Sequence, residues 1–309
     1  MAVGIGERRD NRLAYVYTMP ALMIMALVIV YPFIYNIILS LSNMNLTHFR
    51  DWRLIGPGNF WTVLTDTTMN LKLLGIEVPD FWYFFVKTIL WTVINVFFHV
   101  TIGVFLAIIL NKDLKGKTFF RTLLILPWAV PQYITALTWR GMFNSEYGAI
   151  SIILDRFLGL QVPWLTTEWG AFTACLITNI WLGFPFMMII ALGGLQSIPD
   201  ELYEAADIDG ASWYQKLKNI TIPLLKPVMI PAITLGIIWT FNNFNVVWLV
   251  SNGGEPSDKT HILVSWVYKV GFTYFRTGYA AAFSMIIFAI LLVFSWNFIK
   301  RTQATQAVY

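Results

Sequence analysis

An all-α integral membrane protein with six transmembrane helices is the fold class that this sequence predicts. Three observations predict it. The 309 residues are 57% hydrophobic and only 12% charged, where a soluble domain carries about 25% charged residues. The apolar residues gather into long runs, about 13–41, 82–110, 119–141, 169–195, 228–250 and 278–299, and a bilayer core of about 30 Å needs roughly 20 apolar residues per helix. Aromatic residues cluster at the ends of runs, as in FWYFF at 81–85, which suits an interfacial belt.

Backbone groups have to be satisfied within lipid, so each run is read as a helix. The segment 1–12 is charged (Glu7, Arg8, Arg9, Asp10, Arg12). The run 13–41 is longer than the 7–15 residues of a signal-peptide core and is read as the first span. Residues 42–81 form an external loop, in which GPGNFWTVL reads as a turn followed by an interfacial helix. Residues 82–299 hold the other five spans, and 300–309 a tail. Lys and Arg concentrate at the N-terminus, in the loop with Lys112, Lys115, Lys117 and Arg121, in the loop with Lys216, Lys218 and Lys226, and at Lys300 and Arg301. Positive residues favour the inside, so both termini are expected to be cytoplasmic. Pro20, Pro32, Pro127, Pro131, Pro185 and Pro231 punctuate the spans and read as bends whose freed carbonyls are satisfied by neighbouring helices.

Several function classes are excluded. A single cysteine, Cys175, rules out a disulfide framework and a Cys metal cluster, and His48, His99 and His261 are far apart. A net charge of +4 gives no sign of nucleic-acid binding. GKT at 116–118 ends like a phosphate-binding loop, but the required glycine is Asn111 and a span precedes it. No catalytic constellation is found, so the chain is expected to be no enzyme and to bind no metal or cofactor. Lys87, near the outer end of the second span, is read as snorkelling past the aromatic belt. Asn95 and His99 are four apart and share a face. An interhelical hydrogen bond is favoured over a proton relay, because the span holds no acidic partner.

The polar stretch QSIPDELYEAADIDGASWYQKLKNITIPLLKP (196–227) interrupts this apolar sequence. Ser197 is placed to cap a helix carrying Asp200 and Glu201 in its first turn. Gly210 reads as a turn or stop. A second short helix with Trp213, Leu217 and Ile220 along one side is expected to end at Pro223 and Pro227. The physics of the residues leaves an interfacial helix and a docking element equally open.

The stretch resembles the EAA motif of ATP-binding-cassette importer permeases: EAA, three residues, Gly, nine residues, Ile, one residue, Leu, Pro. Glu204, Ala205, Ala206, Gly210, Ile220 and Pro223 stand at the matching places, with Ile222 where the motif has Leu. NIWLGFPFMM (179–188) and FNNFNVVWLVSNGGEP (241–256) resemble the carbohydrate, maltose-type branch, on its MalF-like side. The resemblance implies a type I importer permease fold. It also implies that the polar loop couples this chain to a cytoplasmic ATPase. The implied partners are a second, MalG-like permease in a heterodimer, two ATPase subunits that carry ATP and Mg, and an external solute-binding protein. The implied location is the cytoplasmic membrane of a bacterium or archaeon.

Span five supplies Gly236, Thr240 and Asn243 at i, i+4 and i+7 on one helix face, with Trp239 and Asn242 beside them. Asn242, Asn243 and Asn245 are costly in lipid and should meet a cavity or another helix. Leu182, Gly183 and Phe186 share a side of span four next to Pro185. The resemblance places Leu182, Gly183, Phe186, Gly236, Trp239, Thr240 and Asn243 at a sugar site, although Phe186 stands where the family has Tyr. The expected function is alternating-access import of maltose, maltodextrin or a similar oligosaccharide. The alternative is another solute such as glycerol phosphate or trehalose. A phosphate-bearing solute would call for Lys or Arg in the cavity-facing spans.

Overall fold

Long apolar runs fold as helices, and proline sets where those helices are opened or broken. The computed structural model describes residues 3–73 and 75–302, with side chains from Leu13 onward apart from Ala14, Leu74, Ile299 and those after Lys300. Arg8, Arg9, Arg12 and Arg301, used above for orientation, lie outside the described side chains, and 303–309 of the tail lie outside the described residues.

Helix α1 (Val3–Met25) continues through a π turn (Ala26–Val30) into α2 (Tyr31–Ser40). Next come α3 (Gly58–Thr65) and a two-residue hairpin of β1 (Lys72–Leu73) and β2 (Ile76–Glu77). The central elements are α4 (Asp80–Asn111), α5 (Lys117–Ala129), α6 (Gln132–Met142), α7 (Ala149–Leu158) and α8 (Glu168–Gln196). Then follow α9 (Glu201–Ile208), α10 (Trp213–Lys216), a π turn (Leu217–Thr221), α11 (Ile222–Phe241), α12 (Phe244–Val250), α13 (Leu263–Tyr268), a third π turn (Lys269–Thr273) and α14 (Thr277–Thr302).

Among the described residues, five helical stretches are long and apolar enough to cross a membrane: Tyr15–Ser40, Asp80–Asn111, Glu168–Gln196, Trp213–Phe241 and Thr277–Phe298. This corrects the expectation of six continuous spans. The run 119–141 is split into α5 and α6, of 13 and 11 residues. Pro131 forces the residue before it out of the helical region, and Val130 is extended, at ψ 135°. The run 228–250 also ends its first helix at Phe241 and restarts at Phe244.

Two other prolines are absorbed. The N–H of Tyr31, just before Pro32, reaches back to the Ala26 carbonyl, and that of Ile222, just before Pro223, to the Leu217 carbonyl. These i→i+5 bonds widen the helix where the pyrrolidine ring supplies no N–H. The helix therefore does not end at Pro223 and Pro227 as expected, but runs from Trp213 to Phe241. Ser197 is corrected as well. It closes α8, donating its hydroxyl to the Gly194 carbonyl at 2.7 Å, while Asp200 is the residue that precedes α9.

The chain divides into two compact units: Met1–Asp66 with Val270–Phe288, and Thr67–Lys269 with Ala289–Tyr309. In the first, the Asn59 amide donates to the carbonyls of Ser40 (3.0 Å) and Ser42 (2.7 Å) and fixes α3 at the end of α2. Arg276 pairs with Asp66 at 3.2 Å and lies over the Tyr279 ring.

The second unit is built on α4 and α8. Helix α4 is amphipathic in the inverted sense. Lys87, Thr88, Thr92, Asn95 and His99 are buried, while Val93, Phe97 and Phe105 are exposed. That arrangement is stable only where the surroundings are apolar and the interior supplies hydrogen bonds. Thr88, Thr92 and Asn95 donate to the carbonyls of Phe84, Thr88 and Trp91 in their own helix. The two helices approach closely at Gly103, where a Cβ would lie 2.7 Å from that of Met187. One apolar cluster surrounds Trp91, Phe172, Leu182 and Val246, and another Leu110, Met187, Leu192 and Met229.

Lys87 does not snorkel. Its side chain is 3% exposed, with Nζ 3.1 Å from a Glu168 carboxylate oxygen. Nζ also donates to the Lys259 carbonyl and lies over the rings of Tyr83, Trp169 and Phe172. Tyr83 donates its hydroxyl to the same carboxylate. The inward face of α4 carries this lysine, so an acid and a carbonyl take the place of water.

Candidate functional site

A cavity of about 640 Å³ opens between α4, α8, α11 and the two chain breaks at 130–131 and 242–243. It lies between the two apolar clusters: Leu182 belongs to one and Met187 to the other, and both line it. Broken helices at membrane depth are tolerated where the freed backbone meets a cavity or finds a side chain. Here the indole of Trp91 donates to the Thr240 carbonyl at 2.8 Å, close to the end of α11, and the Asn243 side chain accepts from Val246 N at 3.3 Å, capping α12.

The breaks bring amide side chains together. Asn245 Nδ2 donates to Gln132 Oε1 at 3.1 Å. Gln132 Nε2 donates to Asn243 Oδ1 at 3.2 Å, and Asn243 Nδ2 donates to Asn179 Oδ1 at 2.7 Å. Each amide thereby orients the next. The series ends at Asn179 Nδ2, which is buried and has no hydrogen-bond partner among the described residues. An unpaired buried donor is costly, and this one belongs to a residue that lines the cavity. Trp128, Phe186 and Trp239, which also line the cavity, form an aromatic series, with ring centroids 6.3 and 5.3 Å apart. Among the described residues the lining holds no Asp, Glu, Lys or Arg. Such a site suits an uncharged ligand with one apolar face and several hydroxyls.

All eight residues singled out for substrate contact line this cavity: Leu182, Gly183, Phe186, Gly236, Trp239, Thr240, Asn242 and Asn243. Sequence reasoning missed Trp128, Gln132 and Asn179. Asn179 was within reach, since 179, 182, 183 and 186 share a helix face. Trp128 and Gln132 flank the break at Pro131 and were hidden by the assumption of a continuous span. His99 makes the expected interhelical bond, to the Asn179 carbonyl at 2.9 Å, whereas Asn95 donates within its own helix.

The polar loop forms a separate surface. Gly210 turns the chain at φ +73°, a conformation that favours glycine, and a Ser212–Gln215 capping box starts α10. Tyr203 and Ile220 pack against the apolar cluster around Met187 and Leu192. Glu204, Ala205 and Gly210 are exposed and Ala206 is half-buried. Ile208 is 87% exposed, while Pro223 stands in the first turn of α11.

The broken helices, the open cavity lined by amides and aromatic rings, and the projecting loop fit a transport permease. Residues 99–304 match the family described as "Binding-protein-dependent transport system inner membrane component", and the chain belongs to that family, as an ATP-binding-cassette carbohydrate importer permease. It is 37% identical to the galactooligosaccharides transport system permease protein GanP of Bacillus subtilis (strain 168), over 94% of this chain and 70% of that one. It is 34% identical to the trehalose/maltose transport system permease protein MalF of Thermococcus litoralis, over 94% of each. Among solved structures, a bacterial ABC transporter involved in the import of the acidic polysaccharide alginate shares the fold, with a TM-score of 0.80, 19% identity and coverage of 99% of this chain and 100% of that one. The family is one of transport permeases, not of catalytic enzymes.

Proposed function

We propose that this chain carries a neutral oligosaccharide, of the maltose and maltodextrin type or a close relative, through the cavity at Asn179 and Asn243 by alternating access. The observation that carries this reading is the lining itself: it combines an aromatic series with directed amides, and among the described residues it holds no Asp, Glu, Lys or Arg. Aromatic faces cover the apolar side of a pyranose ring, and amides exchange hydrogen bonds with its hydroxyls. The relatives named for galactooligosaccharides and for trehalose and maltose fit the same class. Trehalose, also neutral, remains an alternative. Glycerol phosphate is disfavoured, because its phosphate would enter without a cation.

In this proposal both termini are cytoplasmic, and the chain pairs with a second permease in the inner membrane. An external binding protein delivers the sugar. Two ATPase subunits hold ATP and Mg, and the loop 196–227 receives their motion. Its exposed Glu204, Ala205 and Gly210, seated by Tyr203 and Ile220, support the last point. Replacing Gly210 with Val forces a β-branched residue into a left-handed conformation, at a cost of about 1–2 kcal/mol. ATP hydrolysis is expected to persist while sugar uptake falls at least about tenfold. Normal uptake would remove the loop from the coupling path. The broader test is the complex purified with its co-expressed neighbours and offered a glycan panel. Neutral oligosaccharides should stimulate ATP hydrolysis, and no stimulation by any glycan would overturn the substrate class.

A further inference from the structure

His99 is 4% exposed in the middle of α4. A polar ring in that position needs a reason, since buried polar groups are costly unless paired. Two contacts supply it. His99 Nε2 lies 2.9 Å from the Asn179 carbonyl, so Nε2 carries the hydrogen and donates. The ring also fills the notch left by Gly183, where an added Cβ would overlap Cε1 and Nε2. The residue whose backbone His99 grips is the one whose side chain ends the amide series. Asn179 Oδ1 is occupied by Asn243 at 2.7 Å, and its Nδ2 is left without a partner among the described residues. Asn179 is therefore held at two points, its carbonyl by α4 and its amide oxygen by the cap of α12. Those two restraints fix the direction of the amide NH2, whose two N–H groups have no partner among the described residues.

We propose that His99 is a positioning residue for the transported sugar: by gripping the Asn179 carbonyl from the Gly183 notch, it aims the Asn179 amide at a hydroxyl or ring oxygen of the ligand. The inference rests on the sugar-site reading above. It assigns His99 a role through Asn179 and no proton-transfer step. It also gives Gly183 a reason to lack a side chain, because a methyl group there would push the ring out of its seat.

The test measures equilibrium binding of radiolabelled maltotriose to the purified, complete transporter in detergent, without its solute-binding protein. The variants are His99→Phe, His99→Gln, Gly183→Ala, Asn179→Ala and the double variant His99→Phe/Asn179→Ala. His99→Phe keeps a ring and removes the donor, so it should weaken binding about tenfold, or about 1.4 kcal/mol. His99→Gln places an amide N–H near the lost Nε2–H and should bring affinity back to within about threefold of the native protein. Gly183→Ala should reproduce His99→Phe by displacing the ring. The double variant should bind no more weakly than Asn179→Ala alone, because residues that act through one another are not additive. Native affinity in His99→Phe, no recovery in His99→Gln, or full additivity in the double variant would each overturn the proposal. Unchanged binding in Asn179→Ala would instead overturn the sugar site itself. If His99→Phe fails to assemble, the Gln and Gly183→Ala variants decide the matter through the same binding constants.

Discussion

The second unit holds two polar groupings, and the two end differently. Toward the N-terminal ends of α4 and α8, Lys87 is closed in by the Glu168 carboxylate, the Lys259 carbonyl and three aromatic rings. About three turns further along α8, Asn179 receives the end of a one-way amide series that runs from Asn245 on α12 through Gln132 on α6 and Asn243 at the start of α12, and its own Nδ2 is buried without a hydrogen-bond partner among the described residues. The first grouping contains a formal charge yet is fully answered by the protein. The second is neutral and ends on an amide NH2 with no partner among the described residues, in a residue that lines a cavity of about 640 Å³. Within a membrane bundle, a charge alone therefore does not mark the ligand site. An unpaired buried group that belongs to a cavity-lining residue is the better sign, because a ligand there can complete it.

The sharpest way to break this contrast is Lys87→Met. Removing one member of a buried pair leaves the other uncompensated, and the cost is about 3 kcal/mol or more. The variant should lose thermal stability in detergent and assemble poorly, and Lys87→Met/Glu168→Gln should recover part of the loss. A stable Lys87→Met transporter with altered sugar affinity would place Lys87 in the ligand site. Asn243→Ala should do the opposite. It cuts the amide series in the middle and removes the cap of α12, so sugar binding should weaken by about ten- to thirtyfold, roughly 2 kcal/mol, while the complex still assembles. Normal binding would remove the series from recognition.

Acidity tests the loop around His261 at lower amplitude. His261 lies outside the spans, with Nδ1 3.0 Å from Ser265 Oγ and Nε2 3.7 Å from Asp258. Burial holds its imidazole below the ordinary value, against the raising effect of Asp258. With the folded value below the unfolded one, the unfolded or opened loop binds more protons between the two. Stability from this group is then complete above about pH 6.5 and declines as the pH falls through it. At pH 5.5 the loss is at most about 1.4 kcal/mol. Amide-exchange protection of residues 251–262 should drop accordingly in the native protein and stay flat in His261→Phe. Equal drops in both would clear His261 of the effect. The smallest change expected is Asn245→Ala, at the far end of the series. It should weaken sugar binding only about threefold, and an effect as large as that of Asn243→Ala would show that Asn245 contacts the sugar directly.

The membrane class was legible from composition, and the cavity from cost: three Asn within four residues of an apolar span have few places to go. The eight residues named from span four and span five meet at one cavity because helical spacing fixes their faces in advance. What stayed hidden depends on where a proline acts. Pro131 breaks its run and exposes Trp128 and Gln132, whereas Pro32 and Pro223 are absorbed by π turns. Hydropathy does not separate these cases, because the outcome is decided by hydrogen-bond register. Lys87 was hidden for a related reason. Its partners, Glu168 and Lys259, are far away in sequence, so only the fold brings them to it.

The unpaired amide of Asn179 and the uncharged lining are expected to select a neutral glycan. The most direct measurement compares binding of maltotriose with that of a trisaccharide of matched size carrying a uronic acid, both to the purified transporter without its binding protein. Maltotriose should bind saturably, and the acidic trisaccharide at least about tenfold more weakly, because its carboxylate would be buried without a cation. Equal or tighter binding of the acidic glycan would contradict the account.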